Sequence, residues 1–208
     1  MSYKKMCKNV IVIMLTVVAL NANDINLLNE ISYESDGYYN MVIEIPAGSN
    51  KKYEINKKSG KIEQEYVEGK KRIVDFLAYP GNYGFIPQTK LLKKKGGDND
   101  PIDVLLISES KKRGSVQAIK IIGALDFDDR GERDTKLLAV PKNEGLSHID
   151  SLEEMFIEYP NLITIVKLWF QGYKGPQKMH FTGYITKGEL HNIIENSHKD
   201  WKREVNVK

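Results

Sequence analysis

Residues 114–127, "GSVQAIKIIGALDF", place Val116, Ile119, Ile121 and Ile122 in one short run. β-Branched side chains are restricted on a helix and suit a pleated, half-buried surface, so the run reads as a core strand. Working outward, "PIDVLLIS" at 101–108 has the same character, and "KLLAVP" at 136–141 adds a further short strand. Upstream, "NMVIEIPAGSNKKYEI" at 40–55 reads as two short strands joined by the turn Gly48-Ser49-Asn50. Residues 61–77 read as two more around Glu68-Gly69. The Pro and Gly punctuation of "AYPGNYGFIPQT" at 78–89 rules out helix and suits a shaped loop, and "KLLKKKGG" at 90–97 reads as an exposed basic loop. Helical signals come late. Ser151 with Glu154, and Thr186 with Glu189, have capping-box spacing. Leu162, Ile165, Val166, Trp169 and Phe170 would bury one helical face, and Leu190, Ile193, Ile194 and Trp201 another. Many short strands followed by helices imply an α+β fold, and closing the strands into a small barrel would remove their edges.

The chain has 208 residues, enough for one domain with a core, and its 41% hydrophobic and 28% charged content is that of a soluble globular protein. Residues 1–22 carry Lys4, Lys5 and Lys8, no acid, and the apolar run Val10 to Leu20. A basic start and a run too short for a comfortable membrane span read as a signal peptide with cleavage after Ala22. That implies a periplasmic or secreted protein; an uncleaved membrane anchor is the alternative. Residues 23–39 read as a loose leader, and 40–208 as a single domain. Removing the three leader lysines from the 31 basic residues balances the 28 acidic ones. A neutral remainder argues against a general nucleic-acid or acidic-membrane binder. Cys7, the only cysteine, lies in the leader, so the mature chain would have no thiol.

Two acidic groups need a reason. "GGDNDPIDVLL" at 96–106 sets Asp98, Asp100 and Asp103 at the entrance to a strand, and "LDFDDRGERDTKLL" at 125–138 holds Asp126, Asp128, Asp129, Glu132 and Asp134. Turn chemistry accounts for Asp98 and Asn99 but not for Asp103, which is flanked by Ile102 and Val104. An EF-hand loop wants an oxygen ligand at its fifth position and Gly at its sixth; Ile102 and Asp103 stand there. If both groups line one end of a barrel, the carboxylates raise each other's pKa unless a cation sits among them. All-oxygen ligation points to Mg²⁺ or Mn²⁺, and no paired-His or CxxC spacing competes. Cations are spread along the same chain: Lys52 beside Glu54, Arg72, Lys136, and Tyr173-Lys174, with Tyr79 and Tyr83 flanking the Gly-rich turn. Divalent ions with Lys, Arg and Tyr donors suit the gripping of phosphate oxygens during phosphoryl transfer. No P-loop is present.

The ordered set "VIEIPAGSNKKYEI", "YPGNYGFIPQT", "DNDPID", "DRGERDTKLLAVP" and "YKG" resembles the soluble inorganic pyrophosphatases of the first family, over about Asn40 to Lys178. The resemblance implies a five-stranded OB-like barrel with helices outside, hexameric assembly as in bacterial members, and Mg²⁺-dependent hydrolysis of pyrophosphate to two orthophosphates. Asp98, Asp103 and Asp134 would hold the activating metal, with Asp103 touching a second; Asp129 and Asp134 would bind a further ion arriving with substrate. Asp100 would be the general base, and Glu44 would act through water on the metals. Lys52, Arg72, Tyr83, Lys136, Tyr173 and Lys174 would bind phosphate oxygens, while Glu54 and Tyr79 support the site.

Three departures stand out. Lys71 occupies the register where many bacterial members have the arginine, so Lys71 and Arg72 compete for that role. The basic 90–97 loop lengthens the usual spacing, either as a solvated insertion or as an attractor of anionic substrate. The leader is unusual for a mainly cytoplasmic family. Two rivals are an OB-like binding module, which would favour exposed aromatics on a basic face, and a metal phosphatase for organic esters.

Overall fold

A computed structural model of the chain describes residues 25–206. The signal-peptide reading over residues 1–22 lies outside the described residues. The first strands in chain order are β1 (Glu34–Ser35), β2 (Tyr38–Ile45), β3 (Tyr53–Ile55), β4 (Ile62–Gln64), β5 (Tyr66–Val67) and β6 (Lys70–Lys71). There follow β7 (Asn82–Phe85), β8 (Asp103–Leu106), β9 (Val116–Asp129) and β10 (Glu132–Pro141). Helices α1 (Leu152–Glu158) and α2 (Pro160–Gly172), strand β11 (Met179–Thr186) and helix α3 (Lys187–Val205) complete the fold.

The main sheet runs β1-β2-β7-β8-β10-β9-β11, and β2 also pairs with β9. That pairing closes β2, β7, β8, β10 and β9 into the five-stranded ring expected from the sequence. The length of β9 makes closure possible. Its first residues, Val116 to Ile119, pair with β2, and its later ones, Gly123 to Asp129, pair with β11. Alternate residues of β10 feed two cores. Leu138 and Val140 pack with Leu152, Met155, Ile163 and Phe170 of α1 and α2; Leu137 and Ala139 pack with Leu190 and Ile194 of α3.

Several expectations are corrected. The stretch 78–89 is no mere loop: it contains β7, buried throughout and seated between β2 and β8. A Cβ on Gly84 would lie 1.9 Å from the backbone oxygen of Val42, so only glycine admits so close an approach. Strand β11, for which the sequence reading offers no element, alternates Met179, Phe181 and Ile185 on its inner side with His180, Thr182, Tyr184 and Thr186 outside, and pairs with β9. The loose-leader reading fails from Ile25 onward: Leu28 is buried, Leu27 N–H donates to Gly60 O at 2.9 Å, and Tyr33 stacks on His198 with centroids 3.7 Å apart. Its few apolar side chains find surfaces on distant elements, which a polar composition does not reveal. Ser151 caps α1 by accepting from Glu154 N–H at 3.2 Å, but Thr186 makes no side-chain cap on α3. On α2, Ile163 takes the buried place expected of Ile165, which is 60% exposed. Among the described residues no helix is long and apolar enough to cross a membrane.

Candidate active site

One cleft of about 300 Å³ gathers side chains from stretches scattered between Glu44 and Lys174. Glu44 comes from β2; Lys52 and Glu54 from β3 and its approach; Arg72 follows β6; Tyr83 is in β7. Asp98 and Asp100 precede β8, which opens with Asp103. Asp129 ends β9, Asp134 and Lys136 lie on β10, and Tyr173 and Lys174 follow α2. The two acidic groups therefore open onto the same cleft. Tyr79 stands behind it, its ring 5.3 Å from that of Tyr83 and 6.5 Å from that of Tyr173. Trp169 of α2 stacks on Tyr173 at 4.7 Å and 11°, so one helix sets the aromatic wall.

Register explains the centre. Parallel pairing of β10 with β8 sets Leu137 opposite Val104, which brings Lys136 beside Asp103. The buried ammonium of Lys136 lies 2.5 Å from Asp103, 2.6 Å from Asp134 and 3.0 Å from the hydroxyl of Tyr83. Burial works to lower the Lys136 pKa, but Asp103, Tyr83 and Asp134 hold it well above the usual lysine range. Burial works to raise Asp103, but Lys136, a hydrogen bond from Tyr83 and Lys52 together outweigh it and hold the carboxyl below its ordinary value. Lys174 lies 2.6 Å from Asp129 and 3.9 Å from Asp134. Burial opposes that effect, yet hydrogen bonds from Lys174 and Arg130 hold Asp129 below its ordinary value.

Other groups are pushed the opposite way. Burial and then Asp103 raise Asp98. Burial drives Glu44 up to about 8 against the pull of Lys52, although its Oε1 accepts from Ile55 N–H at 2.6 Å. Burial likewise raises the phenols of Tyr79, Tyr83 and Tyr173, which stay protonated and able to donate at neutral pH.

Zigzag geometry sorts the second acidic group. Asp126 turns away and holds Arg133 and Thr135, and Asp128 accepts from Gly131 N–H at 2.9 Å in the hairpin turn. Arg72 lines the cleft and its guanidinium meets both Glu65 oxygens at 2.8 Å; Lys71 is exposed and does not line it. Sequence reasoning missed Glu65 and Lys57, whose ammonium pairs with Asp100. Lys57 sits in a hairpin of lysines with no signal to separate it from solvated ones. Arg133 also borders the cleft.

The residues fit a hard divalent ion in kind: the cleft offers carboxylate oxygens and neither Cys nor His, and Asp98 and Asp103 repel each other across it. Among the described residues, no three such groups close on a single point as they stand. Lysines lie between them instead, Lys136 at Asp103 and Asp134, Lys174 at Asp129, Lys57 at Asp100.

The family model for inorganic pyrophosphatase matches residues 41–202. The chain is 34% identical over 193 residues to an inorganic pyrophosphatase of Drosophila melanogaster, covering 83% of this chain and 57% of that protein. It superposes on the type I inorganic pyrophosphatase of P. falciparum with a TM-score of 0.77 at 30% identity, covering 85% of this chain and 63% of that one. For the inorganic pyrophosphatase of Helicobacter pylori the TM-score is 0.70 at 29% identity, covering 83% and 98%. The chain thus spans little more than half of the fly relative and nearly all of the bacterial one.

Proposed function

Because the chain belongs to the inorganic pyrophosphatase family, we propose that it hydrolyses pyrophosphate to two orthophosphates with the help of Mg²⁺. The observation that carries this reading is the interleaving of Lys136 and Lys174 with Asp103, Asp129 and Asp134 in a single cleft. Asp98, Asp103, Asp129 and Asp134 would hold the divalent ions, with Glu44 behind them. Bound Mg²⁺ supplies Lewis acidity, lowering the pKa of water and offsetting phosphate charge.

The chain's own groups do the rest. Asp100 accepts the proton of the attacking water as a new P–O bond forms and the bridging P–O bond breaks. Lys52, Arg72, Lys136 and Lys174 bind phosphate oxygens and offset the charge that grows on the departing phosphate. Tyr83 and Tyr173 donate hydrogen bonds, since burial keeps their phenols protonated. Glu54, Glu65 and Tyr79 orient these donors, Glu65 by gripping Arg72.

The test is phosphate release from pyrophosphate with and without Mg²⁺, beside a phosphate monoester and ATP. Release that needs Mg²⁺ and is confined largely to pyrophosphate is expected; equal turnover of the monoester would point to the ester phosphatase instead. Asp100→Asn should lose about a hundredfold or more in kcat with the fold intact. Efficient turnover by that variant would remove Asp100 from its assigned role.

A further inference from the structure

The basic segment 90–97 is neither free nor merely solvated. Its base is pinned by buried Thr89, whose hydroxyl donates to Ile86 O at 2.6 Å and accepts from Ile102 N–H at 3.0 Å. Above that base the segment bonds in two directions. Toward the cleft, Leu91 N–H donates to Asp100 O at 2.8 Å, and Asn99 N–H donates to Leu91 O at 2.7 Å. Lys93 N–H donates to Asn99 Oδ1 at 3.0 Å, while Asn99 itself sits in the left-handed region, φ 67°. Gly97, next to Asp98, is folded so tightly that a Cβ would lie 2.5 Å from Leu91 O. Toward α3, Lys90 N–H donates to Ser197 Oγ at 2.8 Å, the Lys90 ammonium pairs with Glu204, and Lys95 reaches Asp200 at 2.5 Å. Ser197 and Asp200 are both buried. A buried carboxylate is costly unless paired, and the Lys95 ammonium and Arg203 meet that of Asp200.

We propose that Lys95 and Asp200 form a positioning pair through which α3 holds the 98–100 loop where Asp98 can engage a divalent ion. This rests on the reading of the cleft given above. Neither residue touches the ion or substrate; they act through the backbone bonds that tie Leu91 to Asn99 and Asp100. The fold thereby makes its last helix part of the metal site.

The sign of the effect separates positioning from simple charge. Removing an ammonium near a cation site should, by Coulomb's law alone, tighten cation binding. Loss of positioning weakens it. Mg²⁺ and Mn²⁺ binding would be measured calorimetrically on the full chain without pyrophosphate. Lys95→Gln is expected to raise the dissociation constant about three- to tenfold, below the usual penalty for an outer-shell partner because Lys95 is half exposed. Asp200→Asn should reproduce the loss, the double variant should add little to either, and Lys95→Arg should restore binding. Lys94→Gln removes the same charge from a side chain outside these contacts, and should leave binding unchanged or tighter. Unchanged or tighter binding in Lys95→Gln overturns the pair, as does an equal weakening in Lys94→Gln. If the unsubstituted chain bound neither ion, the functional reading would fall and the pair with it.

Discussion

At Lys136 a buried ammonium stands between two carboxylates, Asp103 at 2.5 Å and Asp134 at 2.6 Å. Its removal leaves like charges facing each other in a poorly hydrated cleft, which is far costlier than the loss of a surface pair. Lys136→Met should therefore destabilise the metal-free protein by about 3 kcal/mol, and Mg²⁺ should return more stability to the variant than to the parent, because the ion replaces the missing cation. Chemical unfolding with and without Mg²⁺ checks both; a variant as stable as the parent would show that Asp103 and Asp134 do not depend on Lys136. The residue types here were readable, since a lysine two positions beyond Asp134 shares its side of a strand. Lys57 was not readable: it meets Asp100 only because the β3–β4 hairpin folds over the cleft.

Among the elements, β7 carries the sharpest lesson. Gly and Pro around residues 78–89 speak for a loop, and a single-sequence reading has no way to know that Gly84 lies against another backbone. The same glycine that breaks the strand pattern allows the strand. Gly84→Ala should cost about 3 kcal/mol or more, because the clash at 1.9 Å is with a backbone oxygen that cannot rotate away. Gly48→Ala, at a turn glycine with open space around it, should cost about 1 kcal/mol through its φ of +80° alone. Urea midpoints of the two variants would rank them; equal values would mean that β2 and β7 can separate. On α2 one member of the buried face was misjudged: helical spacing admits either Ile163 or Ile165, and packing against β9 and β10 chose Ile163.

For the whole molecule, the parallel pairing of β8 with β10 brings the two acidic turns to one cleft, and the pairing of β2 with β9 closes the ring. A cleft so rich in carboxylates makes folding and ion binding linked equilibria. Mg²⁺ at a hundred times its dissociation constant should add about 2.7 kcal/mol of stability, and a chelator should remove it. A melting temperature indifferent to Mg²⁺ and chelator would contradict that linkage. Export is likewise proposed at this scale, from the basic and apolar leader. N-terminal sequencing of the protein from its host should begin at Asn23, and a retained Met1 in a soluble internal fraction would refute it.

The sequence by itself determined the α+β class, the β-branched core strands and most of the aspartates, lysines and tyrosines that line the cleft, because the ordered motifs lie in the chain itself. The tertiary structure alone decided which of several equivalent residues line the cleft. Strand parity kept Asp129 and Asp134 in the cleft and turned Asp126 away; chain direction after β6 chose Arg72 over Lys71; the course of α3 gave the 90–97 segment something to hold. Those choices depend on contacts between residues far apart in the chain, where local pattern carries no information.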